Sequence, residues 1–210
     1  MALTFPYPLA FLSDLLRAGD VTWDVRRNDE MSGSGSGQFW AAELARPLWT
    51  VAIDLRPYYQ SHGREIDAKI RALGPNKPML FADPTYRPAR GAAPVSGVIL
   101  GTIGTDRTSA AFTGLPAGYV LTTGDRLSVA YGSGRIYTAE IGETVTASGS
   151  GATGQVALFP PLPLNLSGAL AVELARPVLK AIVPPGGHTP HTANLGGFAS
   201  GASLNLLQKV

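Results

Sequence analysis

The side chains with the clearest capacity for chemistry are the three histidines. His188 and His191 stand three residues apart in GGHTPHTANLGG, a spacing at which two imidazoles can bind one metal ion. No Asp or Glu follows Glu173 in the chain, so no nearby carboxylate completes a ligand set. We therefore expect a solvated loop, no metal and no cofactor. His62 lies apart from this pair, in the first turn of a predicted helix.

Motifs for nucleophilic or nucleotide chemistry are absent from the sequence. No serine has glycine both two residues before and two residues after it, as the G-x-S-x-G elbow of serine hydrolases requires. The P-loop needs a Gly-Lys pair, and the chain has none, nor any cysteine to serve as a nucleophile. Four acids lie close in sequence, but an acidic cluster is usually a solvated surface, and spacing alone does not define a glycosidase pair: Asp20, Asp24, Asp29 and Glu30. The sequence predicts a protein that is not an enzyme.

Composition and charge narrow the range of partners. Of 210 residues, 45% are hydrophobic and 15% are charged, which predicts folding around a substantial core. The formal net charge is +2, and basic residues are scattered singly except at Arg26 and Arg27, so no basic stripe predicts a nucleic-acid interface. The N-terminus lacks a basic start, and Pro6 and Pro8 interrupt its apolar run, so we interpret it as part of the fold rather than a signal peptide. No apolar run reaches 18 residues, and we expect a soluble chain without a membrane partner.

Turn residues predict many short strands and few helices. The 25 glycines and 17 prolines lie between apolar segments, as in all-β proteins. In the first half, VTWDVRR, FWAAELA, LWTVAIDL and PMLFADP are predicted strands, and MSGSGSGQ is predicted to form a flexible loop at 32–37. PLAFLSDLLRAG predicts a short helix of two or three turns. A second helix is predicted over 61–73, with Ser61 as N-cap and a stop at Gly74 and Pro75.

The second half predicts a β-rich segment from about Val95 to Glu173. VSGVILGTIG, DRLSVAY, RIYTAEI and GQVALFPPL are short apolar runs between glycine-containing turns, with no helical pattern. YGSGR joins two of these runs and predicts a hairpin in which glycine takes positive φ. After Pro177, VLKAIV predicts a buried strand, and GASLNLLQKV predicts the last strand. A small barrel or sandwich inserted into a host domain fits this order.

The pentapeptide ELARP occurs twice, at 43–47 and 173–177. Each copy precedes an apolar run, but the similarity ends there, and no longer period supports duplication. Proline has no backbone N–H and is tolerated where a strand begins or bulges. We interpret the repeat as a chance similarity between two sequences that each precede a strand, and the second copy as the point where the chain returns to the host domain.

Five blocks of the sequence together carry a family resemblance. They are FWAAELARPLWTVAIDL, EIDAKIRAL, MLFADPTYRP, the stretch from GLPAGYVL to VALFPPL, and ARPVLKAIV, which lie between Phe39 and Val183; the resemblance covers roughly residues 20 to 183. In this order they resemble the distal tail proteins at the tail tip of long-tailed siphophages and alphaproteobacterial prophages. Each block is a pattern of turn residues and apolar strands rather than a catalytic signature.

The resemblance implies a mainly β fold in two parts. A β-sandwich with one or two short helices, at 1–94 and 178–210, would form a ring, and an inserted small β-barrel or sandwich at 95–177 would project outward. The implied function is structural: a homo-hexameric ring joining the phage tail tube to the baseplate hub. Its partners would be the tail tube protein, the hub protein and other tail-tip proteins, with DNA only passing through the channel. The implied location is the virion tail tip, assembled in the cytoplasm of the bacterial host.

Within this interpretation, the surface between subunits is predicted at the loop 32–37 and the strands of 39–55. A Gly/Ser loop can order against a neighbour at an entropic cost that assembly offsets. Trp40 directly follows Phe39, so in a strand one ring should face a core and the other should need a cover. The candidate interface residues are Ser32, Gly33, Ser34, Gly35, Ser36, Gly37, Phe39, Trp40 and Trp49.

Two other functions remain open from the sequence. A carbohydrate-binding module would use Tyr119, Tyr131 and Tyr137 of the β-rich segment as stacking rings for sugars. A different tail or head-to-tail ring component would share the oligomeric behaviour but have other partners. Monomeric glycan binding would distinguish the first of these from a ring protein.

Overall fold

The structure, a computed structural model, describes residues 5–33, 35–74, 77–88, 90 and 95–210. It is mainly β, with several sheets, a small closed six-stranded barrel and one α-helix in the described residues, as the sequence predicts. The helix α1 spans Gln60–Ala72. The strands are β1 Ala18–Gly33, β2 Phe39–Leu55, β3 Tyr58–Tyr59, β4 Met79–Ala82, β5 Val98–Ile103, β6 Ser109–Thr113, β7 Val120–Leu121, β8 Arg126–Tyr131, β9 Arg135–Ile141, β10 Val145–Thr146, β11 Val156–Phe159, β12 Ala171–Glu173, β13 Val178–Ile182, β14 His188–Thr189, β15 Thr192–Ala193, β16 Phe198–Ser200 and β17 Ser203–Gln208.

The largest sheet combines strands from both ends of the chain. Its order is β1-β2-β17-β13-β4, with β14 also paired to β17, and all its pairs are antiparallel. One face packs on α1, whose Ile66 and Ile70 join Phe81 and Leu204 in a buried cluster. These apolar positions alternate along the strands and recur at four-residue spacing in the helix, so the two periodicities meet in one core. A smaller three-stranded sheet, β15-β16-β3, lies next to the start of α1.

The barrel closes in the order β5-β6-β11-β9-β8-β12 and returns to β5. Its interior is a second apolar cluster, to which β9 contributes Tyr137, Ala139 and Ile141 at alternate positions. The strands that flank the barrel in sequence, β4 and β13, pair with each other in the large sheet, with Val178 opposite Ala82. The chain therefore leaves the large sheet at one strand and returns beside it. The predicted boundaries, 1–94 with 178–210 and 95–177, stay a prediction, and residue 94 lies outside the described residues.

The N-terminal segment does not form the single helix that the sequence predicts. PLAFLSDLLRAG forms two 3-10 turns, Leu9–Phe11 and Ser13–Leu15, interrupted at Leu12 with φ −141° and ψ −50°. Leu12 is fully buried, and the Ser13 hydroxyl accepts a hydrogen bond from the Ala82 N–H at 3.1 Å. These contacts with the core and β4 override a local helical spacing that is only a weak preference.

The helix α1 lies where the sequence predicts it, but the predicted N-cap residue is wrong. The N-cap is Tyr59, which makes no side-chain capping bond, and Ser61 lies inside the first turn. Gly63 is buried where the helix packs against β16. A Cβ added at this position would stand only 2.9 Å from the Cβ of Ala199. The close approach of α1 to β16 thus requires glycine there, and it positions the helix start.

The two ELARP copies differ in structure. Pro177 directly precedes β13, as predicted, whereas Pro47 lies within the continuous strand β2. The register with β1 shifts there, since Arg26 pairs with Leu48 and Asn28 with Ala45. Two residues of β2 thus oppose one of β1, which is a bulge, a position where a strand accommodates proline. FWAAELA and LWTVAIDL are one bulged strand rather than two.

Candidate assembly surface

The longest elements of the structure form one hairpin that continues beyond the sheet. Strand β17 pairs with β2 only from Thr50 to Asp54. Beyond the bulge at Pro47, the ribbon of residues 28–45, here called the arm, has pairing only between β1 and β2. Most of its described residues are exposed. The arm is a two-stranded extension with no sheet neighbour on either edge in the described part of the chain.

Four large apolar side chains are exposed along the arm, from Leu44 near its root to Phe39 at its end. Met31, Phe39, Trp40 and Leu44 are each between 65% and 74% exposed. Phe39 and Trp40 alternate along β2 and so point to opposite faces, and both are exposed because neither face of the arm meets a core. The expectation that one of the two rings faces a core is therefore wrong. Exposed apolar side chains gathered on one small element mark an interaction surface more often than scattered ones do.

The predicted loop is shorter than the sequence indicated. Ser32 and Gly33 belong to β1 and pair with Trp40 and Phe39, because the Gly/Ser run still offers backbone groups for the ladder. The turn contains Gly35 and Ser36, and Gly37 takes φ 83°, a conformation that favours glycine. Ser34 lies outside the described residues. Met31 and Leu44 were not among the predicted residues, although each is the one large apolar residue among small or polar neighbours, in NDEMSG and AAELAR.

The root of the arm is fixed to the rest of the molecule by buried polar contacts. The Trp23 indole N–H on β1 donates to Asp83 Oδ2 at 2.8 Å, and Arg126 of the barrel donates to the same oxygen at 3.0 Å. The Arg126 guanidinium also stacks 4.2 Å from the Trp23 ring centroid. Burial raises the pKa of Asp83, but the hydrogen bonds from Thr85, Trp23 and Arg126 outweigh burial and lower the pKa overall. Asp83 thus stays ionised and holds strand and barrel together.

Trp49 belongs to this root and not to an exposed surface. Its side chain is only 2% exposed, and its indole N–H donates to the Thr138 carbonyl of the barrel at 2.9 Å. Its ring packs edge-on against Trp23. The prediction that Trp49 contributes to a surface between copies is therefore wrong, because β2 passes from the core into solvent only beyond the bulge.

The two histidine side chains of the C-terminal loop are not solvated, contrary to the sequence interpretation, although most of the loop around them is exposed. Asp67 of α1 is buried, and its Oδ1 lies 2.8 Å from His191 Nδ1 and 3.2 Å from His188 Nε2. The carboxylate that the sequence lacked after Glu173 thus comes from a helix more than 120 residues earlier. Among the described residues, no group of three or more His, Cys, Asp or Glu side chains is placed to hold a metal ion. The cluster ties the C-terminal loop to α1.

The tyrosines proposed as sugar platforms are mostly inside the barrel. Tyr131 and Tyr137 are buried in its core, and Tyr119 packs against the same cluster. Two of the three rings therefore offer no face to a sugar. The apolar side chains that the barrel exposes are Ile99 and Leu164, which are not aromatic.

No protein-family model matches the chain, and no curated protein matches it. In the part of the chain that the structure describes, no helix is long and apolar enough to cross a membrane.

Proposed function

We propose that this protein is a structural virion component, a distal tail protein whose copies form a ring between the phage tail tube and the baseplate hub. The observation that carries the proposal is the arm: a hairpin rooted in the large sheet, with Met31, Phe39, Trp40 and Leu44 exposed along its length. The family resemblance of the sequence supplies the identity of the ring.

The arm supports assembly in two ways: it projects far enough to reach a neighbouring copy, and its exposed apolar side chains gain free energy when a partner covers them. A ring of more than two copies uses head-to-tail contacts, in which each subunit offers one surface and receives a different one. A projecting hairpin can reach a neighbouring subunit without distorting its own core. Burying a large apolar side chain contributes about 1.5 to 3 kcal/mol, so covering four that are two-thirds exposed stabilises each contact by roughly 4 to 8 kcal/mol. That range is comparable with the cost of association.

The remaining parts take roles that follow from the same proposal. The large sheet with α1 forms the ring body, and the barrel projects outward from it. The partners are other copies of this chain, the tail tube protein, the hub protein and further tail-tip proteins. DNA passes through the channel without a specific contact, no cofactor or catalytic step is involved, and assembly takes place in the host cytoplasm.

The test compares the mass of the purified protein with that of arm variants. Six copies of 21.9 kDa give about 131 kDa, and we expect closed particles of this mass for the wild type by light scattering. Replacing both aromatic residues of the arm, Phe39→Ser with Trp40→Ser, should give a monomer of 21.9 kDa with an unchanged circular dichroism spectrum, because both rings are exposed.

A matched control is Leu164→Ser, which removes an even more exposed apolar side chain from a loop outside the arm. This variant should remain in the particle. Rings that persist in the Phe39→Ser, Trp40→Ser variant would show that the arm is not the assembly surface. A wild type that stays monomeric alone and also fails to join purified tail tubes would overturn the proposed function.

A further inference from the structure

A second exposed apolar cluster lies on the small sheet beside α1. Tyr59 of β3 and Phe198 of β16 are 59% and 48% exposed, and their rings stack with centroids 5.5 Å apart. Leu195, in the turn between β15 and β16, is fully exposed and lies three residues before Phe198 in the chain. These three residues are called the patch below. Stacked rings held on paired strands form a rigid apolar surface, which suits it to receive a partner.

The patch and the end of the arm lie far apart within one copy. Trp40 is fifteen residues before Leu55, where β2 ends, and Tyr59 follows only four residues later. Fifteen strand residues extend on the order of 50 Å at about 3.3 Å each. The arm therefore points away from the patch of its own subunit. If the two surfaces meet, they meet between copies.

The two surfaces also differ in charge. Residues 29–45 contain Asp29, Glu30 and Glu43 and no lysine or arginine. The patch segments, 56–64 and 191–201, contain arginines and histidines and no acid. Arg56 and Arg64, both in the first of these segments, are exposed. The acids that flank segment 56–64 are Asp54, which is exposed, and Glu65, which is paired with Lys69 at 2.9 Å.

Two carboxylates of the arm lie close enough to repel each other. Asp29 and Glu43 are directly opposite each other in the β1–β2 ladder, and both are exposed. Like charges in this position destabilise a strand pair. The nearest cation, Arg27, lies 3.9 Å from Asp29, at the limit of an ion pair. Arginines supplied by a neighbouring copy would relieve this repulsion and would select the head-to-tail orientation.

We propose that the acidic, apolar arm of one copy docks on the Tyr59–Phe198–Leu195 patch of the next copy, and that this is the repeating contact of the ring. The inference rests on the proposed function and adds to it the receiving surface. The contact is heterologous, so the same two surfaces repeat around a closed ring and leave none exposed. The apolar side chains of the arm cover the stacked rings, and its carboxylates face Arg56 and Arg64.

The absence of cysteine from the chain allows a direct test by disulfide cross-linking. The experimental variant carries Trp40→Cys with Leu195→Cys, both at exposed positions. The matched control carries Trp40→Cys with Leu164→Cys, since Leu164 is also exposed but lies outside the patch. Both are oxidised with copper phenanthroline and separated by denaturing electrophoresis without reductant, while light scattering gives the mass of each sample before oxidation.

The proposal predicts a ladder of covalent oligomers up to the closed ring for the experimental pair, and at least tenfold less product above the dimer for the control. A charge exchange gives a second measurement: Arg64→Glu should lower the fraction of rings, and adding Glu43→Arg to that variant should restore it. If rings form but the experimental variant gives no more cross-linked product than the control, the proposed docking surface is wrong and the proposed function is unaffected. A wild-type protein that is monomeric at every concentration and fails to join purified tail tubes, with no cross-links in the experimental variant, would overturn both.

Discussion

The carboxylate of Asp83 should be one of the most costly polar side chains to remove, and the structure provides its own control. Asp83 is 5% exposed at the side chain and accepts hydrogen bonds from Trp23 and Arg126, as well as from the N–H and hydroxyl of Thr85. The Asp106 carboxylate accepts the equivalent pair of turn hydrogen bonds, from the N–H and the hydroxyl of Thr108. Comparing Asp83→Ala with Asp106→Ala therefore separates the buried contacts from the turn.

The expected magnitude follows from what each substitution leaves behind. Breaking a buried ion pair by removing one partner costs about 3 to 5 kcal/mol. Arg126 keeps Glu140 at 3.5 Å and is 18% exposed at the side chain, so we expect the lower end, about 3 kcal/mol, for Asp83→Ala. Asp106→Ala should cost about 1 kcal/mol, because only turn hydrogen bonds are lost. In a chain of this length a loss of 3 kcal/mol lowers Tm by roughly 6 to 12 °C.

The assay is urea unfolding, followed by tryptophan fluorescence and by circular dichroism to verify that the transition is two-state. The pKa of Asp83 is lowered in the folded state, so its contribution is present above its unfolded value of 3.8 and is lost as the pH falls through the folded pKa. The difference between wild type and Asp83→Ala should accordingly narrow in acid. A difference between the two variants of less than about 1 kcal/mol at neutral pH would refute the argument that these contacts fix the root of the arm.

Two further predictions concern α1. Burial lowers the pKa of His188 below 6.5 despite the opposing effect of Asp67, so the unfolded chain binds the proton first and stability should fall as the pH drops below about 6.5. His188→Gln should reduce this loss between pH 7 and pH 5 in urea titrations, and an undiminished loss in the variant would contradict the argument. Gly63→Ala should destabilise by about 1 to 3 kcal/mol, because its Cβ would meet Ala199 at 2.9 Å; a rise in Tm, the usual result of Gly→Ala within a helix, would contradict the close packing.

Local patterns in the sequence predict the elements well. Alternation and turn residues predict the barrel strands, and the glycines of YGSGR take positive φ between β8 and β9, at Gly132 and Gly134. The four-residue spacing of Ile66 and Ile70 predicts α1 to within about a residue at each end. These signals succeed because each depends on residues near one another in the chain.

The features that matter most for the site depend on contacts between distant residues. The same alternation describes a strand inside a sheet and a strand in a free ribbon, so the sequence does not distinguish Trp49, which is buried, from Trp40, which is exposed on the same strand. Likewise, Asp67 reaches His188 and His191 across more than 120 residues. Tertiary placement, which no local pattern encodes, decides these cases.

The central claim, that this chain assembles through its arm into a closed ring, is tested most directly by imaging the purified wild-type protein. Negative-stain electron microscopy and light scattering of the same fraction should show closed rings with a central channel and a mass near 131 kDa, six times 21.9 kDa. A uniform 21.9 kDa monomer at high protein concentration, which also remains unbound when mixed with purified tail tubes, would contradict the claim.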